Sequence, residues 1–257
     1  MIKKILKYAA IAIAWLCLWQ IGATVIGEEL LFPTPIAVAV RLFELCGTGE
    51  FYKTVSFSLL RILIGMIIGT VIGALGGLLT ALSPLARDFF APLLSVIKST
   101  PVASFIILLV LWVSRDTTPL IIAAMMVIPV VWTNVEAGLL NTDKALLEMA
   151  KVYKMTRAQR IKSIYLPSLS PYFFASLRSS LGMSWKAGIA AEVLLLPLIS
   201  IGKMISESKQ TLETVDLFAW TVVVVVLSVI IERLMVFLLS RAVKYRSYLT
   251  EGGADLG

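Results

Sequence analysis

The chain has 257 residues, of which 59% fall in the set AVILMFWYC and only 15% are Asp, Glu, Lys or Arg, with a formal net charge of +7 and no His. A soluble domain carries roughly 25% charged residues, and a soluble globule of this length cannot hide so much apolar side chain without large exposed patches. Composition therefore excludes a soluble enzyme, a disordered chain and a nucleic-acid-binding domain, and it makes lipid the main solvent.

Crossing a bilayer core takes roughly 20 mostly apolar residues in helix. Lys3, Lys4 and Lys7 precede an uncharged run from Tyr8 to Gly27. That run exceeds the apolar region of a signal peptide, about 7–15 residues, and reads as an anchored first helix. In Phe32-Pro33-Thr34-Pro35, Thr34 suits a helix N-cap with Pro35 at the first position. The helix it opens, over 36–45, is short and amphipathic and is expected at the outer interface. Ile62 to Ala86 is uncharged and carries Gly65, Gly69, Gly73 and Gly77 at i, i+4 spacing, with Gly76 beside them. Small residues on one ridge let helix backbones approach closely in lipid; tight packing within the subunit is one reading, a role in gating the other.

Phe89 to Ser114 contains only Lys98, and the following Ser99-Thr100-Pro101 should break the helix at the turn before the proline. Thr117 to Val135 is uncharged; Thr118 is expected to cap it, with Pro119 at its first position and a kink at Pro129. Pro171 to Leu196 is interrupted by Arg178, Lys186 and Glu192, and Leu217 to Ser240 by Glu232 and Arg233. The polar, Gly-rich tail from Thr250 to Gly257 is expected to be disordered. The expectation is an all-α integral membrane protein with one transmembrane domain over 1–257 and six spans, about 6–27, 58–82, 89–113, 118–140, 170–196 and 217–240.

Orientation follows from Lys and Arg. With the N-terminus inside, the inner segments hold Lys3, Lys4, Lys7, Arg87, Lys144, Lys151, Lys154, Arg157, Arg160, Lys162, Arg241, Lys244 and Arg246. That is thirteen, against five on the outer side: Arg41, Lys53, Arg115, Lys203 and Lys209. The positive-inside rule then puts both termini in the cytoplasm. The net charge of +7 is thus a topology signal.

The longest inner segment, 141–167, carries two sets of helix signals. Thr142 or Asp143 can cap a first helix whose Leu146, Leu147, Ala150 and Tyr153 follow the helical period. Thr156 with Gln159 forms a capping box that opens a second helix, and Pro167 is expected to end it. The segment reads as helix, tight turn and helix, basic on its exposed face: a rigid element suited to passing force to a soluble partner.

Here the sequence resembles a family. Glu148, Ala150, Ile164, Leu166 and Pro167 match, without a gap, the EAA loop of binding-protein-dependent ABC transporter permeases. Met149 replaces that signature's first Ala, and Lys154 stands where the family has Gly. Gly suits a left-handed turn; a Lys there costs about 1 kcal/mol, part of it regained from the helix dipole. Leu31-Phe32-Pro33-Thr34-Pro35, Ser58 to Gly65, Leu111-Trp112, Trp185, Ala190-Ala191-Glu192 and Ile201-Gly202 look like the nitrate/sulfonate/taurine-type subfamily. Ser114-Arg115-Asp116 departs from that subfamily's Gly-rich sequence.

The resemblance implies a type I importer permease fold in the cell (inner, cytoplasmic) membrane. It implies pairing with a second permease subunit, commonly as a homodimer, and docking of each loop on a cytoplasmic ATPase. An extracytoplasmic binding protein would deliver the solute. Coupling is then assigned to Glu148, Met149, Ala150, Tyr153, Lys154, Arg157, Ile164, Leu166 and Pro167. ATP and Mg would sit on the partner ATPase; this chain has no Gly-x4-Gly-Lys-Ser/Thr phosphate loop, and neither a catalytic nor a metal site is expected in it. The solute would be a sulfonate-, nitrate- or taurine-like anion or a vitamin precursor.

Ionisable groups in spans mark pathways or internal pairs. Lys98, Arg178, Ser180, Ser184, Lys186 and Glu192 are the candidate pathway residues, with the basic ones lowering the barrier for an anion. The competing reading is ion pairing between helices or snorkelling to headgroups; Glu232 and Arg233 are read as structural. Two rivals remain. An ion-gradient-driven secondary carrier would show more spans and coupling carboxylates. A membrane-embedded enzyme would need metal-ligand or acid/base groups that the spans do not show.

Overall fold

The computed structural model describes residues 2–251, with side chains at 6, 7, 10–238 and 241. The side chains of Lys3, Lys4, Lys244 and Arg246 and the tail beyond Glu251 lie outside the described residues. In chain order the helices are α1 (Ile2–Ile26), α2 (Pro35–Cys46), α3 (Gly49–Leu82), α4 (Pro84–Ser99), α5 (Val102–Leu109) and α6 (Thr118–Leu140). Then come α7 (Lys144–Val152), α8 (Arg157–Arg160), a π-helical turn (Ile161–Tyr165), α9 (Leu166–Leu195), α10 (Ile201–Gln210) and α11 (Thr214–Glu251). No strand occurs among the described residues.

Helices α3, α6 and the Thr214–Leu238 part of α11 are long and apolar enough to cross a membrane. Helices α4 and α5 together would make a fourth crossing, bent by 101° at the break between them. The break falls where Pro101 was expected to place it: the Thr100 N–H closes the last turn on Val96 O at 3.0 Å, and Pro101 cannot continue it. The third span expected over 89–113 is therefore two helices at a steep angle. Helix α9 has the length to cross, but its serines, Arg178 and Lys186 set it apart from the apolar group.

The chain divides into two compact units. One comprises Leu60–Ala191 and Ser228–Gly257. Its core is Met66, Val127, Val131, Val135 and Leu181, packed by Leu63, Ala74, Leu139, Leu169, Phe173, Ile231 and Met235. The glycine ridge of α3 lies directly on α6. A Cβ on Gly65, Gly69, Gly73 or Gly77 would lie 2.3–2.8 Å from the carbonyl oxygen of Leu120, Ala124, Ile128 or Trp132 respectively. A row of glycines four apart thus seats on a row of carbonyls four apart, which only a side chain without Cβ permits. The packing reading of the ridge holds.

The start of α6 differs from expectation. Thr118 lies inside the helix and its hydroxyl donates back to Ser114 O at 2.9 Å. Thr117, at the cap position, has helical φ and ψ of −93° and −30°, which turn its hydroxyl toward Ser114 Oγ instead of the helix N–H groups. Pro119 does occupy the first turn, and α6 runs through Pro129 to Leu140.

The other unit comprises Met1–Leu59 and Glu192–Leu227. Thr34 caps α2 as expected, accepting from the Ala37 N–H at 3.2 Å. Trp19, Phe32 and Phe218 form a ring cluster with centroids 5.6–6.4 Å apart, and the Trp19 indole N–H donates to Pro33 O at 3.0 Å. Arg41 of α2 grips both carboxylate oxygens of Asp216 in α11 and also reaches Glu44. The hydrogen bonds it donates to Asp216, then to Glu44, push the guanidinium pKa above its ordinary value, so it stays charged. Ile36, Val40 and Phe43 form an exposed apolar stripe on α2, the amphipathic face its sequence requires.

Candidate functional site

The 141–167 segment is a rigid double-capped element. Asp143 Oδ1 accepts from the Ala145 N–H at 2.8 Å and starts α7. At the far end the Met155 N–H reaches Ala150 O at 2.9 Å and the Lys154 N–H reaches Lys151 O at 3.1 Å. These two bonds make a Schellman motif, which needs a left-handed residue just past the helix. Lys154 supplies it with φ 49°. The family's Gly position is therefore left-handed here too, and the lysine carries the steric cost. The capping box closes the turn: the Gln159 N–H donates to Thr156 Oγ1 at 3.3 Å, and the Thr156 N–H donates to Gln159 Oε1 at 2.8 Å.

Pro167 does not end the second helix. The chain passes from α8 through the π-turn into α9 without a break. The Leu166 N–H bonds Ile161 O, five residues back. That wider turn takes the carbonyls away from the pyrrolidine ring, which would otherwise clash with the carbonyl four residues before it. The element is thus joined rigidly to α9.

Among the assigned coupling residues, Ala150 and Ile164 are 1% and 2% exposed and anchor the element to the protein. Glu148, Met149, Tyr153, Lys154, Arg157, Leu166 and Pro167 face outward. Leu146 and Tyr153, which follow the helical period with Leu147 and Ala150, are exposed, with Tyr153 at 76%; Val152 and Ile161 are exposed as well. The outer face is basic, as expected, through Lys144, Lys151, Lys154, Arg157 and Lys162. It is also apolar, which the sequence reading missed; the signal was Val152 and Tyr153 adjoining at the helix end.

The candidate pathway residues separate into two groups. Arg178 and Lys186 are exposed on one stripe of α9 with Ser179 and Met183, and Lys98 is exposed on α4. Ser180 and Ser184 are wholly buried on the opposite side of α9. Ser180 donates to its own helix at Leu177 O, and Ser184 Oγ finds no hydrogen-bond partner among the described residues. They do not share a face with the cations: two positions along a helix is a turn of about 200°.

Glu192 is also wholly buried. Its carboxylate accepts from Ser58 Oγ at 2.7 Å and from the Gly202 N–H at 3.3 Å, while Ser58 Oγ accepts from the Ile201 N–H at 2.9 Å. A Cβ on Gly202 would lie 2.4 Å from Glu192 Cβ, so glycine is what lets the carboxylate reach the start of α10. This geometry fixes the α9–α10 connection and leaves Glu192 no open surface.

The family described as binding-protein-dependent transport system inner membrane component matches residues 62–244. A Bacillus subtilis (strain 168) protein named for aliphatic sulfonates transport permease, SsuC, is 25% identical over 234 residues, covering 90% of this chain and 84% of that protein. The nitrate import permease protein NrtB of Synechococcus elongatus is 27% identical over 204 residues, covering 75% of this chain and 73% of its own. Among solved structures, a chain of the MetNI methionine ABC transporter in inward-facing conformations superposes with a TM-score of 0.54 at 18% identity, covering 76% of this chain and 93% of that one. That likeness carries the fold alone. The match over 62–244 includes the ridge of α3, the bent α4–α5 pair, the capped loop and α9, and the chain belongs to this family: it is an integral-membrane permease subunit of a binding-protein-dependent transport system.

Proposed function

We propose that two copies of this chain pair to form one import pathway, each with six spans and both termini in the cytoplasm. An extracytoplasmic binding protein delivers the solute, and a separate ATPase dimer, carrying ATP and Mg, docks on the two 141–167 loops. The observation that carries this reading is the outward face of that loop. Met149, Val152 and Tyr153 are exposed beside a row of cations on an element whose turns are closed by caps. An apolar, basic, rigid surface of this kind suits a groove on a soluble partner. Thirteen inner against five outer basic residues supports the orientation.

The solute is a small anion of the sulfonate, nitrate or taurine kind, or a vitamin precursor. The exposed cations Lys98, Arg178 and Lys186 support an anion, as do the names of the relatives SsuC and NrtB. Ser180, Ser184 and Glu192 serve the walls of the pathway rather than its lumen.

Glu148→Lys tests the docking. The variant is expected to insert in the membrane normally and to lose its ATPase in a pull-down; a variant that retains the ATPase and transports as the parent does would sink the reading. Neutralising Lys98, Arg178 and Lys186 one at a time tests the anion pathway. At saturating binding protein at least one variant should lose about tenfold in transport rate, the scale of one charge interaction. Undiminished transport in all three would remove these cations from the pathway.

A further inference from the structure

A second polar cluster lies apart from the loop surface and the α9 stripe. Arg87, in the first turn of α4, places its Nε 2.6 Å from Glu136 Oε1. The other carboxylate oxygen of Glu136 accepts from Thr80 Oγ1 at 3.0 Å. Trp132 Nε1 donates to Thr80 Oγ1 at 3.1 Å, and Arg87 Nη2 donates to Thr80 O at 3.4 Å. Thr80 is 1% exposed and Trp132 7%, so the seat of the pair is buried, while the Arg87 and Glu136 side chains keep 39% and 15% exposure. Packing reinforces it: a Cβ on Gly76 would lie 2.3 Å from the Trp132 ring, and the Phe90 ring of α4 packs against that ring at a tilt of 57°, centroids 5.3 Å apart. The end of α3, the start of α4 and the last part of α6 are therefore joined by an ion pair, hydrogen bonds and ring packing at one point.

The place of this joint in the fold is informative. Glu136 stands one helical turn before α6 ends at Leu140, and α7 starts at Lys144. Arg87 opens α4, the helix whose other end carries Lys98 and the 101° break. A packed polar joint of two-sided geometry passes displacement between rigid elements, which a flexible chain does not. Parting the pair leaves the buried Thr80 hydroxyl without its carboxylate acceptor, so the joint resists opening.

We propose that Arg87 and Glu136 are positioning residues for transport. Their ion pair, seated on Thr80 and Trp132, ties movement of the α7–α8 loop to α4 and so to the bend at Thr100-Pro101. This rests on the docking of the ATPase to the loop proposed above.

The test uses the whole complex with its ATPase and binding protein, reconstituted in vesicles. Solute carried per ATP hydrolysed is measured for the parent, Arg87→Gln, Glu136→Gln and Arg87→Lys. Each of the first two is expected to keep its ATPase and to lower the ratio about fivefold, the scale of network coupling energies. Arg87→Lys, which keeps the charge, should retain most of the ratio. A merely structural role lowers folded complex, and with it transport and hydrolysis alike, leaving the ratio unmoved. An unmoved ratio in both neutral variants overturns the proposal, and so does an Arg87→Lys variant as uncoupled as Arg87→Gln. A parent chain that fails to co-purify its ATPase would sink the docking reading and the joint with it; retained ATPase with an unmoved ratio would sink the joint alone.

Discussion

Glu136 and Glu192 are carboxylates on largely apolar helices, but they are held differently. Glu136 meets the guanidinium of Arg87, and both side chains keep some access to water, 15% and 39% exposed. Glu192 is wholly buried and is held by the Ser58 hydroxyl and the Gly202 N–H in the first turn of α10. A helix N-terminus presents partial positive charge, so Glu192 sits in a field made by the backbone. The ion pair can rearrange when one partner moves, because each member can reach water. The backbone-held carboxylate fixes one geometry, because moving it strands buried donors. One suits a joint between moving elements, the other a fixed corner.

That contrast can be broken by substitution. The largest effect is expected for Glu192→Leu, which leaves the Ser58 hydroxyl and the Gly202 N–H buried without an acceptor. About 3 kcal/mol of stability should be lost, read as a large fall in the thermal midpoint of the purified protein in detergent. A variant as stable as the parent would show that the corner is not held by this carboxylate. Glu136→Leu should cost less, about 1–2 kcal/mol, since the freed Arg87 can turn to water. Equal losses in the two variants would erase the distinction, and a larger loss for Glu136→Leu would reverse it.

Much of the loop was legible in the sequence. The capping box Thr156–Gln159 and the Asp143 cap each rest on local rules of a few residues, and local rules survive folding; the left-handed place of Lys154 was implied by the resemblance, through the Gly the family has there. Pro167 misled because a proline reads as a stop unless a wider turn precedes it, and nothing in Ile161–Tyr165 announces a π-turn. Ser180 and Ser184 were grouped with Arg178 and Lys186 by shared polarity; the 100° step per residue already placed them on other faces. The Arg87–Glu136 joint was out of reach for a different reason. Its members bound apolar runs from outside, where charges read as span ends, and Thr80 lies 56 positions from Glu136. Ser58 and Glu192, 134 positions apart, are likewise joined only by the fold. Pairings between distant positions depend on which helices become neighbours, and apolar length alone does not decide that.

The π-turn between α8 and α9 also keeps the two helices in line. A π-turn takes up one residue more than an α-helical path over the same rise. Loss of a single residue within Ile161–Tyr165 would restore the α-helical path and bring the carbonyl four residues back against the Pro167 ring, kinking the junction between the loop and the Arg178–Lys186 stripe of α9. The bearing between the loop face and the cationic face is therefore kept by one surplus residue, and a shortening there would misalign two surfaces without altering either.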